Sequence, residues 1–282
     1  MTDPINGPLR GTAGGGAYLL EGTESVPLRC ARTGADYIVH VAVPEAPAPA
    51  GGWPVLYLLD ATGSFGTCVE AMRRMSRRPD ATGVCPMVIA GISAATGYDT
   101  GRRQRDYTTP RAGDENSGGA ATFLAFLDDQ VKPLVAGRAA VDGQRQTLCG
   151  HSLAGFFTLW VLANHPASFA AYAAISPSIW WDRDALLHDA GGAAMGSRRA
   201  FITVGEWEGD LPPWQKLAPD AASVRVRRQA RNMVAGAQDA AAHFARLLGE
   251  GQLRFRLMGE EDHASILSAA IPHALRLASN TA

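Results

Sequence analysis

Short apolar runs rich in β-branched residues recur along the chain, separated by longer stretches whose apolar residues fall every three or four positions. The runs are YIVHVAV (37–43), PVLYLLD (54–60), PMVIAGI (86–92), QTLCG (146–150), YAAIS (172–176), AFITVG (200–205) and LRFRLM (253–258). Most are continuous rather than alternating, as in strands covered on both faces, and they predict a mostly parallel sheet. TFLAFLDDQVKPLVAG (122–137), LAGFFTLWVLANH (153–165) and NMVAGAQDAAAHFARLLGE (232–250) have helical spacing instead. The alternation places the chain in the α/β class, with a mostly parallel central sheet and helices on both faces.

Three segments interrupt the pattern. PEAPAPAGGWP (44–54) reads as an exposed turn between the first two strands. The polar stretch SAATGYDTGRRQRDYTTPRAGDENSGG (93–119) is long for a connection in a compact domain. It follows a strand at the edge where α/β sheets bind ligands, so it is expected to wall a site. Residues 208–230 form a third irregular region. No linker separates two cores, so 34–282 read as a single domain, preceded by an extension over 1–33 that carries the first edge strand or strands.

Composition removes several function classes. Hydrophobic residues make up 46%, charged residues 19%, and the formal net charge is -1. Such a balance offers no long-range field for nucleic acid or an anionic membrane. The N-terminus lacks the cationic start and apolar run of a signal peptide, and no window reaches the ~18 apolar residues of a membrane span; a cytoplasmic location is expected. Cys30, Cys68, Cys85 and Cys149 lack C-x-x-C spacing. Reduced, mostly buried thiols are expected, with no metal site and no cofactor.

The chemistry centres on LCGHSLAGFF (148–157), which nearly spells G-x-S-x-G, with Ala154 in place of the second glycine. The serine lies between an apolar strand ending at Gly150 and a helix starting near Leu153, the strand–turn–helix setting of a nucleophile elbow. A serine needs a general base, and the base needs an orienting acid. In α/β-hydrolases these follow in the order serine, acid, histidine, each after a strand. Glu206, Glu208 and Asp210 leave the strand that ends at Gly205, and His263 leaves the strand that ends near Met258. Glu208 is the preferred acid and Glu206 the alternative. The other histidines lie beside the serine (His151), within a strand (His40), or in helix-like segments (His165, His188, His243, His273). The Leu153 amide is the expected first oxyanion donor, and the turn at Ala61 or Thr62 the expected second. A lone G-x-S-x-A run can be simple helix packing, and an Asp-His pair is often an exposed cap. Their joint order after successive strands is what points to catalysis. Ala154 is tolerable if it lies in the first helical turn at negative φ, with Gly155 approaching the sheet.

With these residues in place the chain resembles the siderophore esterases of the α/β-hydrolase superfamily, which open the trilactones of enterobactin, salmochelin and bacillibactin. The resemblance runs from about 34 to 279 through VLYLLDATGSF, RRQRDYTTP, GGAATFLAFLDDQVKPLV, LCGHSLAGFFTLWVL, AAISPSIWWDRDALL, ITVGEWE and GEEDHASIL. It departs at Ala154 and at LLDA (58–61), where such proteins commonly have LLDG. The resemblance implies Ser152 as nucleophile and His263 as base. It also implies a substrate site lined by Arg102, Arg103 or Arg105 and by the segment carrying Trp180 and Trp181. Adjacent side chains of an extended segment face opposite ways, so one of these two tryptophans is expected to line it, and Trp207 and Trp214 are candidates for a further wall. Guanidinium groups can pair with an anionic ferric tris-catecholate while tryptophan faces stack on its rings. The expected partner is therefore a small-molecule ester, an iron-siderophore complex in the leading case. Competing expectations are a small-ester carboxylesterase or acyltransferase with the same residues, and a non-catalytic ligand-binding homologue.

Overall fold

A computed structural model describes residues 20–187 and 195–279. The first 19 residues of the expected N-terminal extension and His188 lie outside the described residues. The strands are β1 (Thr23–Arg29), β2 (Asp36–Ala42), β3 (Trp53–Leu59), β4 (Val88–Ala94), β5 (Val141–His151), β6 (Ala171–Ile175), β7 (Arg199–Gly205) and β8 (Leu253–Met258). They form one eight-stranded sheet in the order β1-β2-β4-β3-β5-β6-β7-β8. The pairs β1/β2 and β2/β4 are antiparallel and the others parallel.

Successive side chains of a strand point to opposite faces, so a strand buried throughout must feed two cores. In β3, Val55, Tyr57 and Leu59 enter one core, and Leu56 and Leu58 the other. The first core is closed by the segment 120–136, by the elbow helix (Leu153–Asn164) and by helix Met233–Leu248. Helix Phe65–Met75 and the C-terminal helix (Ile266–Ser279) close the second. No helix among the described residues is long and apolar enough to cross a membrane.

Three expectations about elements need correction. The segment 122–137 is not one regular helix: Ala120–Phe126 and Lys132–Ala136 are joined by a π-helical turn over Leu127–Val131. Pro133 has no N–H to donate, and a wider turn accommodates the missing bond. The polar stretch 93–119 contains the wall helix Thr100–Tyr107, capped by Asp99, whose Oδ1 accepts the Arg102 amide at 2.9 Å. Its charged sequence hides helical periodicity, and the cap is the signal that could have revealed it. Residues 208–230 likewise contain most of a roof helix, Ala221–Arg231.

The turn from β5 into the elbow helix is dictated by close approach. A Cβ on Gly150 would lie 2.2 Å from the Ala154 carbonyl oxygen, and one on Gly155 would lie 2.9 Å from the Ile175 oxygen. Ala154 is fully buried in the first turn of the helix and is not among the residues with positive φ. Replacing Gly150 by alanine is therefore expected to cost about 3 kcal/mol through overpacking. Ala154→Gly should cost only about 1 kcal/mol, the helix propensity difference. Urea denaturation of both variants checks this, and an equal or larger loss at Ala154 would contradict it.

Candidate active site

Ser152 sits at φ 62° and ψ -120°, a conformation that residues with a side chain rarely adopt. The surrounding backbone holds it there. Its N–H donates to the Ile175 carbonyl at 3.0 Å, and its own carbonyl accepts the amides of Phe156 at 2.9 Å and Ser178 at 3.1 Å. The hydroxyl is thereby presented at the C-terminal edge of the sheet, beside the Leu153 amide in the first helical turn, which has no intrahelical acceptor.

His263 and Glu208 reach this hydroxyl from the two loops that the strand order assigns them. His263 Nε2 lies 3.0 Å from Ser152 Oγ, and His263 Nδ1 lies 2.6 Å from Glu208 Oε2. Glu208 is only 3% exposed. Its Oε1 accepts the Ser176 hydroxyl at 2.5 Å and the Gly205 amide at 2.9 Å. Burial pushes this carboxyl up, but the hydrogen bond and charge of His263, with Ser176 and Gly205, outweigh it and hold it below the ordinary carboxylate range. Glu206, the alternative acid, does not make this contact: it is exposed, and its Oε2 accepts the Glu260 amide at 2.9 Å, bracing the turn before His263.

His151 supplies a second support that the sequence reading did not assign. Its Nε2 donates to the His263 carbonyl at 2.8 Å, and the two rings lie 4.7 Å apart. Burial, and then the neighbouring His263, push its pKa down to about 4. The ring is neutral near pH 7 and adds no charge beside His263.

The cleft above Ser152 has two lobes, of about 430 and 470 Å³, which share Tyr98, Arg103, Ser152 and His263. The first is mainly apolar and aromatic, with Tyr37, Leu59, Ile92, Tyr107 and Leu267 in its walls. Arg102 and Arg103 reach it from the wall helix. Arg103 is committed to Asp60, its Nε donating to Oδ2 at 2.7 Å, and it also bonds the Tyr98 hydroxyl at 2.9 Å. Ala61 is fully buried directly after Asp60, which holds a left-handed φ of 53°, and the next residues, Thr62 and Gly63, line the first lobe with Ser152.

Trp180 lines the second lobe, whereas three other expected substrate residues do not line either lobe. Arg105 pairs with Asp106 at 3.0 Å and lines a separate pocket. Trp181 is buried, with the Arg111 guanidinium 4.1 Å over its ring, because a tight 3-10 turn sends adjacent side chains apart. Trp207 packs edge-on against Trp214 at 4.7 Å. Cations absent from the sequence reading take their place. Val224, Arg227, Arg228 and Arg231 are spaced along one face of the roof helix and turn it over the second lobe. Arg228 ties that helix to the acid loop through the Trp207 and Asp210 carbonyls. Arg231 lies over Trp180 at 5.3 Å, and among the described residues neither Arg227 nor Arg231 is in an ion pair. Their i, i+4 spacing is the signal that could have found them.

The strand order, the strained serine turn and the position of the histidine define an α/β-hydrolase. The esterase family model matches residues 30–250, and the chain belongs to that family as an ester hydrolase of siderophore esterase-like type. It is 39% identical over 202 residues to ferri-bacillibactin esterase BesA of Bacillus subtilis, covering 66% of this chain and 67% of that protein. It is 30% identical over 267 residues to a siderophore triacetylfusarinine C esterase of Aspergillus fumigatus, covering 86% and 89%. Among solved structures, the BES protein of Bacillus cereus superposes with a TM-score of 0.80 at 27% identity, covering 96% of this chain and all of that one.

The depressed His151 pKa has a thermodynamic consequence. The unfolded chain takes up this proton below about pH 6.5, whereas the folded chain does so only near pH 4. The stability contributed by the neutral ring is therefore complete above that range and is lost as the pH falls through it. The expected loss is on the order of 3 kcal/mol, the free energy of a shift of this size. Denaturation curves from pH 7 to 4 should show a shallower decline for His151→Gln than for wild type; parallel curves would refute the assignment.

Proposed function

We propose that this chain is a serine esterase that hydrolyses a ferric-siderophore trilactone through an acyl-enzyme, with Ser152, His263 and Glu208 as its catalytic triad. The observation that carries this reading is the continuous hydrogen-bonded chain from Glu208 through His263 to Ser152, opening into a two-lobed cleft. His263 Nε2 takes the hydroxyl proton as Ser152 Oγ attacks the ester carbonyl. Glu208 accepts from Nδ1–H, fixes the tautomer and stabilises the imidazolium. The Leu153 amide, with an amide of the Ala61 turn, meets the developing oxyanion. Collapse of the tetrahedral intermediate expels the alcohol, which receives the proton from His263. Water then repeats the sequence on the acyl-enzyme and releases the acid.

The substrate class rests on the cleft and on the relatives. Proteins named for bacillibactin and triacetylfusarinine C esterase activity resemble this chain over most of its length. Arg227, Arg231 and Trp180 form a cationic, aromatic wall suited to an anionic catecholate, and a lobe on each side of the serine suits a large substrate. In this reading the chain acts in the cytoplasm, in iron acquisition.

Ser152→Ala should reduce hydrolysis of p-nitrophenyl butyrate to background while leaving the circular dichroism spectrum unchanged, and a fluorophosphonate probe should label wild type alone. Retained turnover would remove Ser152 from its role. Ferric bacillibactin should give a kcat/KM at least tenfold above that of simple aryl esters; the reverse order, or transfer of the acyl group to added alcohols in preference to water, would favour a small-ester hydrolase or an acyltransferase. Arg227→Gln with Arg231→Gln should raise KM for the ferric trilactone about tenfold and leave neutral aryl esters unchanged, as loss of uniform binding predicts.

A further inference from the structure

At the opposite end of the sheet from Ser152, the register gathers cations on one face. Arg199 opens β7 two residues before Phe201, and Phe201 lies in the core beneath the C-terminal helix. Arg254 and Arg256 of β8 are register partners of Phe201 and Thr203, and so share the face of Arg199. Arg145 of β5 shares it too, four residues before the core residue Cys149. The C-terminal helix lays His273 and Arg276 across them, with the His273 ring stacked on Phe201 at 5.5 Å. Between these elements lies a cavity of about 80 Å³, lined by Arg199, Arg254, His273 and Arg276 and by the turn at Gly251 and Gln252.

Several polar atoms in this cluster are buried without a hydrogen-bond partner: Arg199 Nη1, Arg145 Nε and His273 Nδ1. Among the described residues none of the five arginines is in an ion pair. Burial, and then Arg145, push the Arg199 pKa down; burial, and then Arg256, Arg276 and Arg254, do the same to His273. Convergent cations with unmet donors are costly unless an anion joins them. We propose that this cleft is a binding site for a phosphate-sized oxyanion, either free phosphate or the phosphate group of a small metabolite. The cavity volume admits one such group, and guanidinium forks with a histidine supply the directional donors that tetrahedral oxyanions take. The site is separate from the esterase cleft and does not depend on the reading of Ser152.

The test uses the full chain at constant ionic strength set with chloride. Inorganic phosphate and, separately, glucose 1-phosphate are titrated while melting temperature is followed, and binding is measured by calorimetry. At about 100-fold above Kd, either ligand should raise Tm by about 5 °C. The stronger ligand of the two identifies the source as free phosphate or a phosphomonoester. R199Q/R254Q should abolish the shift and leave p-nitrophenyl butyrate hydrolysis within twofold of wild type. If that variant does not fold, calorimetry on wild type decides alone. No binding above the chloride control, or an unchanged shift in the variant, overturns the proposal.

Discussion

A serine held in an unfavourable backbone conformation is the constraint from which much of this molecule follows. Ser152 stays at positive φ because its amide is bonded to β6 and its carbonyl is bonded by both Phe156 and Ser178. Those bonds require the elbow helix to lie close to the sheet. Close approach in turn leaves no room for a side chain at Gly150 or Gly155, and room for one methyl at Ala154. The elbow helix is apolar and buried over most of its surface, so the first core locks the turn from behind. Strain at Ser152 is thus maintained by packing well away from its hydroxyl.

The same edge of the sheet carries the electrostatics of the site. A buried carboxylate is tolerated at Glu208 because a hydroxyl, an amide and an imidazole satisfy it at once. Ser176, which makes one of these contacts, itself occupies a positive φ of 42° at the end of β6, and its amide is bonded to Thr203 of β7. Adjacent strands therefore position Ser152 and Glu208 through neighbouring strained residues. His263 is held from both sides, its ring between Ser152 and Glu208 and its carbonyl by His151.

Charge is distributed unevenly despite the formal net charge of -1. Arginines of the roof helix face the second lobe, while those of β5, β7, β8 and the C-terminal helix converge at the far end of the sheet. Arg103, by contrast, is neutralised by Asp60 and braces the wall between the lobes. Arginines adjacent in sequence thus have different surroundings: Arg102 and Arg103 line the first lobe, while Arg105 pairs with Asp106 and lines a separate pocket.

The strands and the elbow were legible in the sequence because their signals are local: continuous apolar runs, small residues around Ser152, and a histidine and acids in loops after successive strands. Seven runs recur as strands with bounds shifted by a few residues. Which acid meets His263 was not local, since Glu206 and Glu208 are both next to the same strand end; a 3-10 turn buries one and leaves the other in solvent. The cleft lining was less legible still. The roof helix, from a segment read as irregular, reaches the cleft only after Arg228 is tied to the acid loop, and Trp181 is withdrawn by a tight turn. Sequence by itself determined the layered sheet and the residue types of its chemistry, because periodicity and chain order act over a few residues. Tertiary structure alone decided which carboxylate meets His263, the cleft lining and the far cationic cluster, because those depend on burial and on register between strands distant along the chain.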